Sequence, residues 1–368
     1  MKNPNVLLGA LTLASLVSFT ALAQLQLQPL WSLDPGSRAY LSTDNTQRGI
    51  AYNPLTGNLL LVNRTGGLSV NVMDGTTGAD KGSLKVTGIS GGTLALSQIA
   101  VASDGAIYAA NLVSPSSGAS PFRVYRWADE NASPVLVYSG ELASGTRWGD
   151  NIDIRGSGNN TQILFGEGAA GVGNHIAVFH TADNGATFSP TTMTVSGATA
   201  GDTRGGVAFA LAGDSFYTKD AGGISLYYGT FNLATASAVA AATAPLPAGL
   251  SGFGPLGTYG PGAALAAIQF NSAPTPDSGP QNLYLFDVSN PMNPVTLDIQ
   301  PFLDPGNQNV NGFGAVDFGG GKVFALNANN GLRAYDLIPE PHEYALLGLG
   351  LAVMLWWRRQ QQRQSIKS

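Results

Sequence analysis

The 368-residue chain has no cysteine. That excludes a disulfide framework and thiolate chemistry, so stability must come from apolar burial. Charge is scarce: Asp, Glu, Lys and Arg make up 11% of the residues, against roughly 25% in an average soluble domain. Histidine occurs three times, at His175, His180 and His342. The first two stand five apart on or beside one strand and therefore face opposite sides, so neither a metal site nor a cofactor site is expected. A Ser-His-Asp triad is not expected. Basic clusters are missing as well. The formal net charge is −5; setting aside Lys2, Arg358, Arg359, Arg363 and Lys367 at the ends leaves 13 basic residues, and setting aside Glu340 and Glu343 leaves 21 acidic ones, a body near −8. Nucleic-acid binding needs phosphate-neutralising basic patches and is discounted.

What is abundant is turn chemistry, with 48 Gly and 21 Pro. The stretch Gly49 to Val86 shows how it is used. GIAYN, NLLLVNR, LSVNVMD and GSLKV are short apolar segments separated by Pro- and Gly-containing turns. In Leu68, Val70 and Val72 the apolar positions alternate with Ser69 and Asn71, which is strand period. Similar openings recur near Gly49, Gln98, Asn151, Gly205, Ala263 and Phe313. Their spacing matches four-stranded blades with some long loops. A single meander cannot cover both its faces, whereas copies arranged around an axis can. The fold expected is all-β, a β-propeller of six four-stranded blades, with seven as the other count and an irregular β-sandwich as the competing architecture. The last unit, FGAVDF, KVFALN and LRAYDL, is one strand short. Leu25, Leu27, Trp31 and Leu33 offer a spare strand at the start, and its pairing there would close the ring and remove open edges. Ala241 to Gly262 reads as a long loop.

The ends carry their own patterns. Residues 1–23 have Lys2, an apolar Val6–Thr20 run and Ala21-Leu22-Ala23, the layout of an export signal. That leaves 24–338 as the propeller and 339–368 as a tail. In the tail, Pro339-Glu340-Pro341 precedes the apolar run 344–357 with Trp356 and Trp357, then Arg358 and Arg359. This tail resembles the PEP-CTERM sorting signal. The resemblance implies a C-terminal hydrophobic transmembrane helix, processing by an exosortase, partnership with the export machinery, and a transient stay in the inner membrane. The localisation it implies is export through a membrane-anchored intermediate to the cell surface or the extracellular space.

Inside the body, Thr181, Asp183, Gly185, Thr187 and Phe188 resemble the Asp-box, a structural hairpin turn of propellers. Asp183 can accept turn N–H groups, Gly185 permits positive φ, and Phe188 packs beneath. Asp287-Val-Ser289-Asn-Pro291-x-x-Pro294 resembles the LVIVD-type repeat of bacterial surface propellers. QRGIAYNPLTGNLLLVNR, QIAVASDGAIYAAN and RWGDNIDIRG, between Arg48 and Glu167, resemble a family of secreted bacterial propeller-like proteins that carries no assigned activity. One constellation offers a ligand site. Arg48, Arg147 and Arg204 each precede an inner strand, with Asp44, Asp150 and Asp202 close by. Equivalent positions in successive blades would bring them to the channel mouth, where arginines grip a carboxylate or sulfate and aspartates take sugar hydroxyls or calcium. The plain alternative is that these pairs brace neighbouring blades. The function expected is a secreted surface or matrix propeller that binds or scaffolds, with extracellular polysaccharide as partner and no catalytic residue. The competing expectation is a glycan-active or lactone-hydrolysing enzyme on the same fold, which would need convergent carboxylates or a metal cage at the channel mouth.

Overall fold

The computed structural model describes residues 25–118, 120–142, 146–168, 173–220, 225–247, 256–270, 281–302, 307–309, 311–339, 350–351 and 353–359. Leu25–Ile338 form one compact unit. It begins with β1 (Leu25–Leu33) and continues as antiparallel meanders: β2 (Ile50–Tyr52), β3 (Asn58–Asn63), β4 (Ser69–Asp74) and β5 (Asp80–Ser83), then β6 (Leu94–Val101), β7 (Ile107–Leu112), β8 (Phe122–Trp127) and β9 (Val135–Gly140). The next eight strands belong to one sheet: β10 (Asp153–Arg155), β11 (Gln162–Gly166), β12 (His175–His180), β13 (Ser189–Ser196), β14 (Gly206–Phe209), β15 (Ser215–Lys219), β16 (Leu226–Asn232) and β17 (Ser237–Ala242). A further meander comes next, β18 (Leu256–Tyr259), β19 (Ala264–Ile268), β20 (Asn282–Asp287) and β21 (Val295–Pro301). The last strands are β22 (Gly314–Gly319), β23 (Lys322–Asn327) and β24 (Gly331–Pro339), in one sheet with β1 in the order β1-β24-β23-β22.

The result is an all-β, propeller-like ring of small sheets. The expected six equal blades are corrected in count and in closure. Four four-stranded sheets stand separately, and β10 to β17 form a single eight-stranded sheet. Its two antiparallel halves meet where β13 and β17 pair in parallel, Val195 with Ala238 and Ser196 with Val239. Its end strands β10 and β14 lie side by side, so the sheet curls into a near-closed barrel-like unit. The innermost strands adjoin in the order β2, β6, β10, β14, β18, β22 and back to β2.

Six apolar clusters fill the gaps between successive four-strand layers among the described residues. Strand geometry explains how one run serves two of them. In β3, Leu60 and Val62 face Ile99, Ile107 and Trp127, while Leu59 and Leu61 face Phe324, Leu326 and Leu332. Successive side chains point to opposite faces, and both faces are covered, so NLLLVN is buried throughout. The expected long loop Ala241 to Gly262 is also corrected, because it contains β18; the strand at Ala264 is the second of its sheet.

The tail departs from expectation. Its described helical residues are 350–351 and 353–359. Among the described residues, no helix is long and apolar enough to cross a membrane. The transmembrane helix, the PEP-CTERM and exosortase assignment that rested on it, and the membrane-anchored export intermediate on the way to the cell surface are corrected accordingly. Pro339 ends β24. Glu340, Pro341, the 1–23 segment and part of the 344–357 run lie outside the described residues.

Candidate functional site

The two ends of the inner strands differ in chemistry. At the N-terminal ends the structure brings together three of the six expected mouth residues. Arg48 precedes β2, and its side chain is 2% exposed. Its guanidinium lies 3.4 Å from the centre of the Phe313 ring. Nη2 donates to Ser97 Oγ at 3.2 Å and to Asp150 Oδ1 at 3.3 Å. Arg147 donates to both oxygens of the same carboxylate, from Nη2 to Oδ1 at 2.8 Å and from Nε to Oδ2. Burial pushes the Arg48 guanidinium down to about 9, the Asp150 charge works against that, and Arg147 and Arg64 add to it. The other three expected residues serve turns. Asp44 accepts from Ser42 and Thr46, which hold its carboxyl below the usual range. Asp202 accepts from the backbone and hydroxyl of Thr199. Arg204 contributes its carbonyl to Asn151 Nδ2. Sequence reasoning missed Arg64, which reaches this end from the β3–β4 turn and donates to the Asn45 carbonyl at 3.1 Å.

At the C-terminal ends lies a cavity of about 360 Å³, lined among others by Tyr52, Arg155, Phe209 and Phe318, with Asp153 and Asp317 in its wall. Asp153 stands on β10 and reaches β14: Phe209 N–H donates to Oδ2 at 2.5 Å and Ile154 N–H to Oδ1 at 2.8 Å. Asp317 repeats this from β22 to β2, taking Tyr52 N–H on Oδ2 at 2.6 Å and Phe318 N–H on Oδ1 at 2.8 Å. In the cyclic order of inner strands these two junctions are diametrically placed, so the carboxylates face the cavity from opposite walls. Burial pushes Asp153 up to about 7; the two N–H donors oppose it and the charge of Asp317 adds to it. Burial likewise pushes Asp317 up to about 6 against its two donors. The same pair of N–H donors recurs at Asp298, which binds Leu27 N–H and Ile299 N–H and fastens β1 to β21 at the rim. The hydrogen bonds alone are thus a brace between strands. What sets Asp153 and Asp317 apart is their place in the wall of a shared cavity, with proton affinities in the neutral range.

Neither aspartate was singled out from the sequence. The signal was present, though: a carboxylate inside an apolar inner strand just before glycine, in Ile-Asp153-Ile-Arg-Gly and Val-Asp317-Phe-Gly-Gly. The Asp-box residues form a hairpin turn. Thr187 N–H and Thr181 Oγ1 donate to Asp183 Oδ1 at 2.9 and 2.7 Å, and Gly185 has φ +80°. Phe188 meets Tyr108 edge-on at 5.4 Å, in the core shared with the β6–β9 sheet.

The fold has solved relatives. A DUF4623 family protein from Bacteroides eggerthii aligns with a TM-score of 0.57 at 17% identity, over 81% of this chain and 72% of that one. A luciferin-regenerating enzyme aligns at 0.52 and 14%, over 86% and 96%. A gluconolactonase from Xanthomonas campestris aligns at 0.50 and 13%, over 85% and 98%. These likenesses concern the fold. No protein-family model and no curated protein matches the sequence, so the resemblances of the tail to PEP-CTERM signals and of the body to secreted bacterial propellers are not sustained. An all-β propeller-like domain stands in their place.

Proposed function

We propose that the protein hydrolyses a small lactone in the cavity between Asp153 and Asp317. The observation that carries this reading is the pair itself: two carboxylates on opposite walls of one cavity, one holding its proton more tightly than the other. In the pH range between their titrations, Asp317 is ionised and Asp153 keeps its proton. Asp317 takes a proton from water as the water oxygen bonds to the lactone carbonyl carbon. Asp153 gives its proton to the ring oxygen as the bond from that carbon breaks, and the product is a hydroxy acid. Such pairing of an acid with a base follows from environments that push two like groups apart. The fold is compatible with the reading, since a gluconolactonase shares it.

The test is a panel of aldonolactones monitored by release of acid in weakly buffered indicator solution. Turnover by the wild type is expected, with a bell-shaped pH profile whose limbs belong to the pair. Asp317→Asn and Asp153→Asn are each expected to lower kcat by about 100-fold or more, with the circular dichroism spectrum unchanged. Folded variants that keep full activity, or a wild type inert toward every lactone, sink the reading.

A further inference from the structure

The two aspartates of the cavity hold equivalent places, and they differ in what stands two positions further on. Each lies two residues before the end of an innermost strand, β10 or β22. Each takes the N–H of the residue after it and another from the next inner strand. Two positions on from Asp317 comes Gly319. A Cβ there would lie 1.9 Å from the Tyr52 ring, so that place is filled by an aromatic side chain from β2. Two positions on from Asp153 comes Arg155. Residues two apart on a strand share a face, and Asp153 and Arg155 both line the cavity. Among the described lining residues, Arg155 is the one cation.

The Arg155 side chain is fastened at three atoms. Nε donates to Gln162 Oε1 at 2.8 Å across the β10–β11 ladder, Nη1 to the Gly213 carbonyl at 2.5 Å, and Nη2 to Asp214 Oδ1 at 2.5 Å. The guanidinium lies 4.4 Å from the centre of the Phe209 ring. Gly213 and Asp214 lie in the turn between β14 and β15, and Phe209 is the last residue of β14. Arg155 therefore ties the end of β14 to β10, and that end carries the N–H that donates to Asp153 Oδ2. The Asp214 ion pair by itself contributes little, because that carboxylate is 56% exposed. Solvent screens Asp214 for the same reason, and the charge of Arg155 still favours an ionised Asp153. The charge of Asp317, from the opposite wall, works against it.

We infer that Arg155 is the positioning residue for the acid of the pair: it holds the Phe209 N–H on Asp153 and faces, from the same wall, the carboxylate that Asp153 becomes on giving up its proton. The inference rests on the lactone reading, in which Asp153 protonates the ring oxygen as its bond to the carbonyl carbon breaks. At that step a negative charge appears on Asp153. A fixed cation and a fixed N–H donor beside it make proton release easier, since both favour the ionised form. Losing them tightens the hold of Asp153 on its proton. Asp317, with glycine in the equivalent place, has no such cation two residues on.

Arg155→Gln and Arg155→Lys in the full chain test this through two readouts. The first is the pH profile of lactone turnover. Arg155→Gln is expected to lower kcat by about tenfold and to move the basic limb, which belongs to Asp153, up by about half a pH unit or more. Arg155→Lys keeps the charge and loses the fork, so it should lower kcat with a smaller move of that limb. The second readout needs no substrate. It is a carbon-13 NMR titration of the aspartate carboxyl carbons, with the Asp153 signal assigned by its loss in Asp153→Asn. The Asp153 midpoint should rise in Arg155→Gln, and the Asp317 midpoint should move less. The Arg155 side chain is 29% exposed, so both variants should fold, which far-ultraviolet circular dichroism checks. An unmoved Asp153 midpoint in folded Arg155→Gln overturns the inference. So does a lowered kcat with an unchanged basic limb, which would mark a brace and nothing more. A wild type inert toward lactones, with the midpoint shift present, overturns the reaction and supports the hold of Arg155 on Asp153.

Discussion

Asp153 and Asp317 turn burial into a dependence of stability on pH. Each carboxyl titrates higher in the folded protein, at about 7 and about 6, than the usual value of 3.8. Between those values and 3.8 the folded state binds more protons than the unfolded chain. Stability is therefore greatest below the unfolded value and falls as pH rises through 6 and 7. Urea midpoints taken from pH 4 to pH 8 are expected to decline across this window in the wild type. In the double variant Asp153→Asn, Asp317→Asn the decline should be much shallower, because the amides hold no titrating proton; identical slopes would mean that other groups set the dependence. The Arg48–Asp150 pair illustrates the opposite problem. Its residue types were legible in TQRGI and TRWGD, and so was their place before inner strands. That one carboxylate would be shared by two arginines, while Asp202 turned to Thr199 three residues before it, depended on the path of each loop.

At the level of single elements, apolar alternation and turn residues located most strands, because a pleated segment covered on both faces must read as a near-continuous apolar run between glycines and prolines. β18 escaped this logic. Leu-Gly-Thr-Tyr has one aliphatic residue and sits in a stretch rich in Gly and Pro, yet Leu256 is buried in a cluster with Ala208 of the neighbouring layer and Leu265 and Phe286 of its own sheet. The join between β13 and β17 escaped it too, since pairing between outer strands leaves no periodic mark. Gly197 comes just after that join with φ +88°, and a Cβ there would lie 2.2 Å from the Ala240 carbonyl oxygen. Gly197→Val is expected to open the seam at a cost of about 1–3 kcal/mol. Hydrogen exchange should then speed up in Ser237–Ala242 and stay unchanged in β6 to β9. Unaltered protection of Ser237–Ala242 would show that the seam does not depend on this close approach.

The molecule as a whole is held by six layers of apolar contact and by the sheet that unites its first and last strands. Leu27 of β1 is 3% exposed, in the cluster with Leu283, Phe302 and Tyr335, and its N–H is taken by Asp298 at 2.7 Å. Leu27→Ala is expected to destabilise the fold by about 2–5 kcal/mol in denaturant titration, whereas Leu55→Ala, at an exposed turn, should fall within about 0.5 kcal/mol of the wild type. Equal effects would mean that β1 does not share the cooperative core. By itself the sequence determined the features that local rules govern: strands from period-two burial, turns from Gly and Pro, and a body with no thiol and little charge, hence one built on apolar layers. Only the tertiary structure decided how those layers were joined, which carboxylates met across the cavity and which arginines shared a partner. Those outcomes rest on contacts between residues far apart in the chain, 265 positions from Tyr52 to Asp317 and 271 from Leu27 to Asp298, and no local pattern in the chain encodes a distance of that kind.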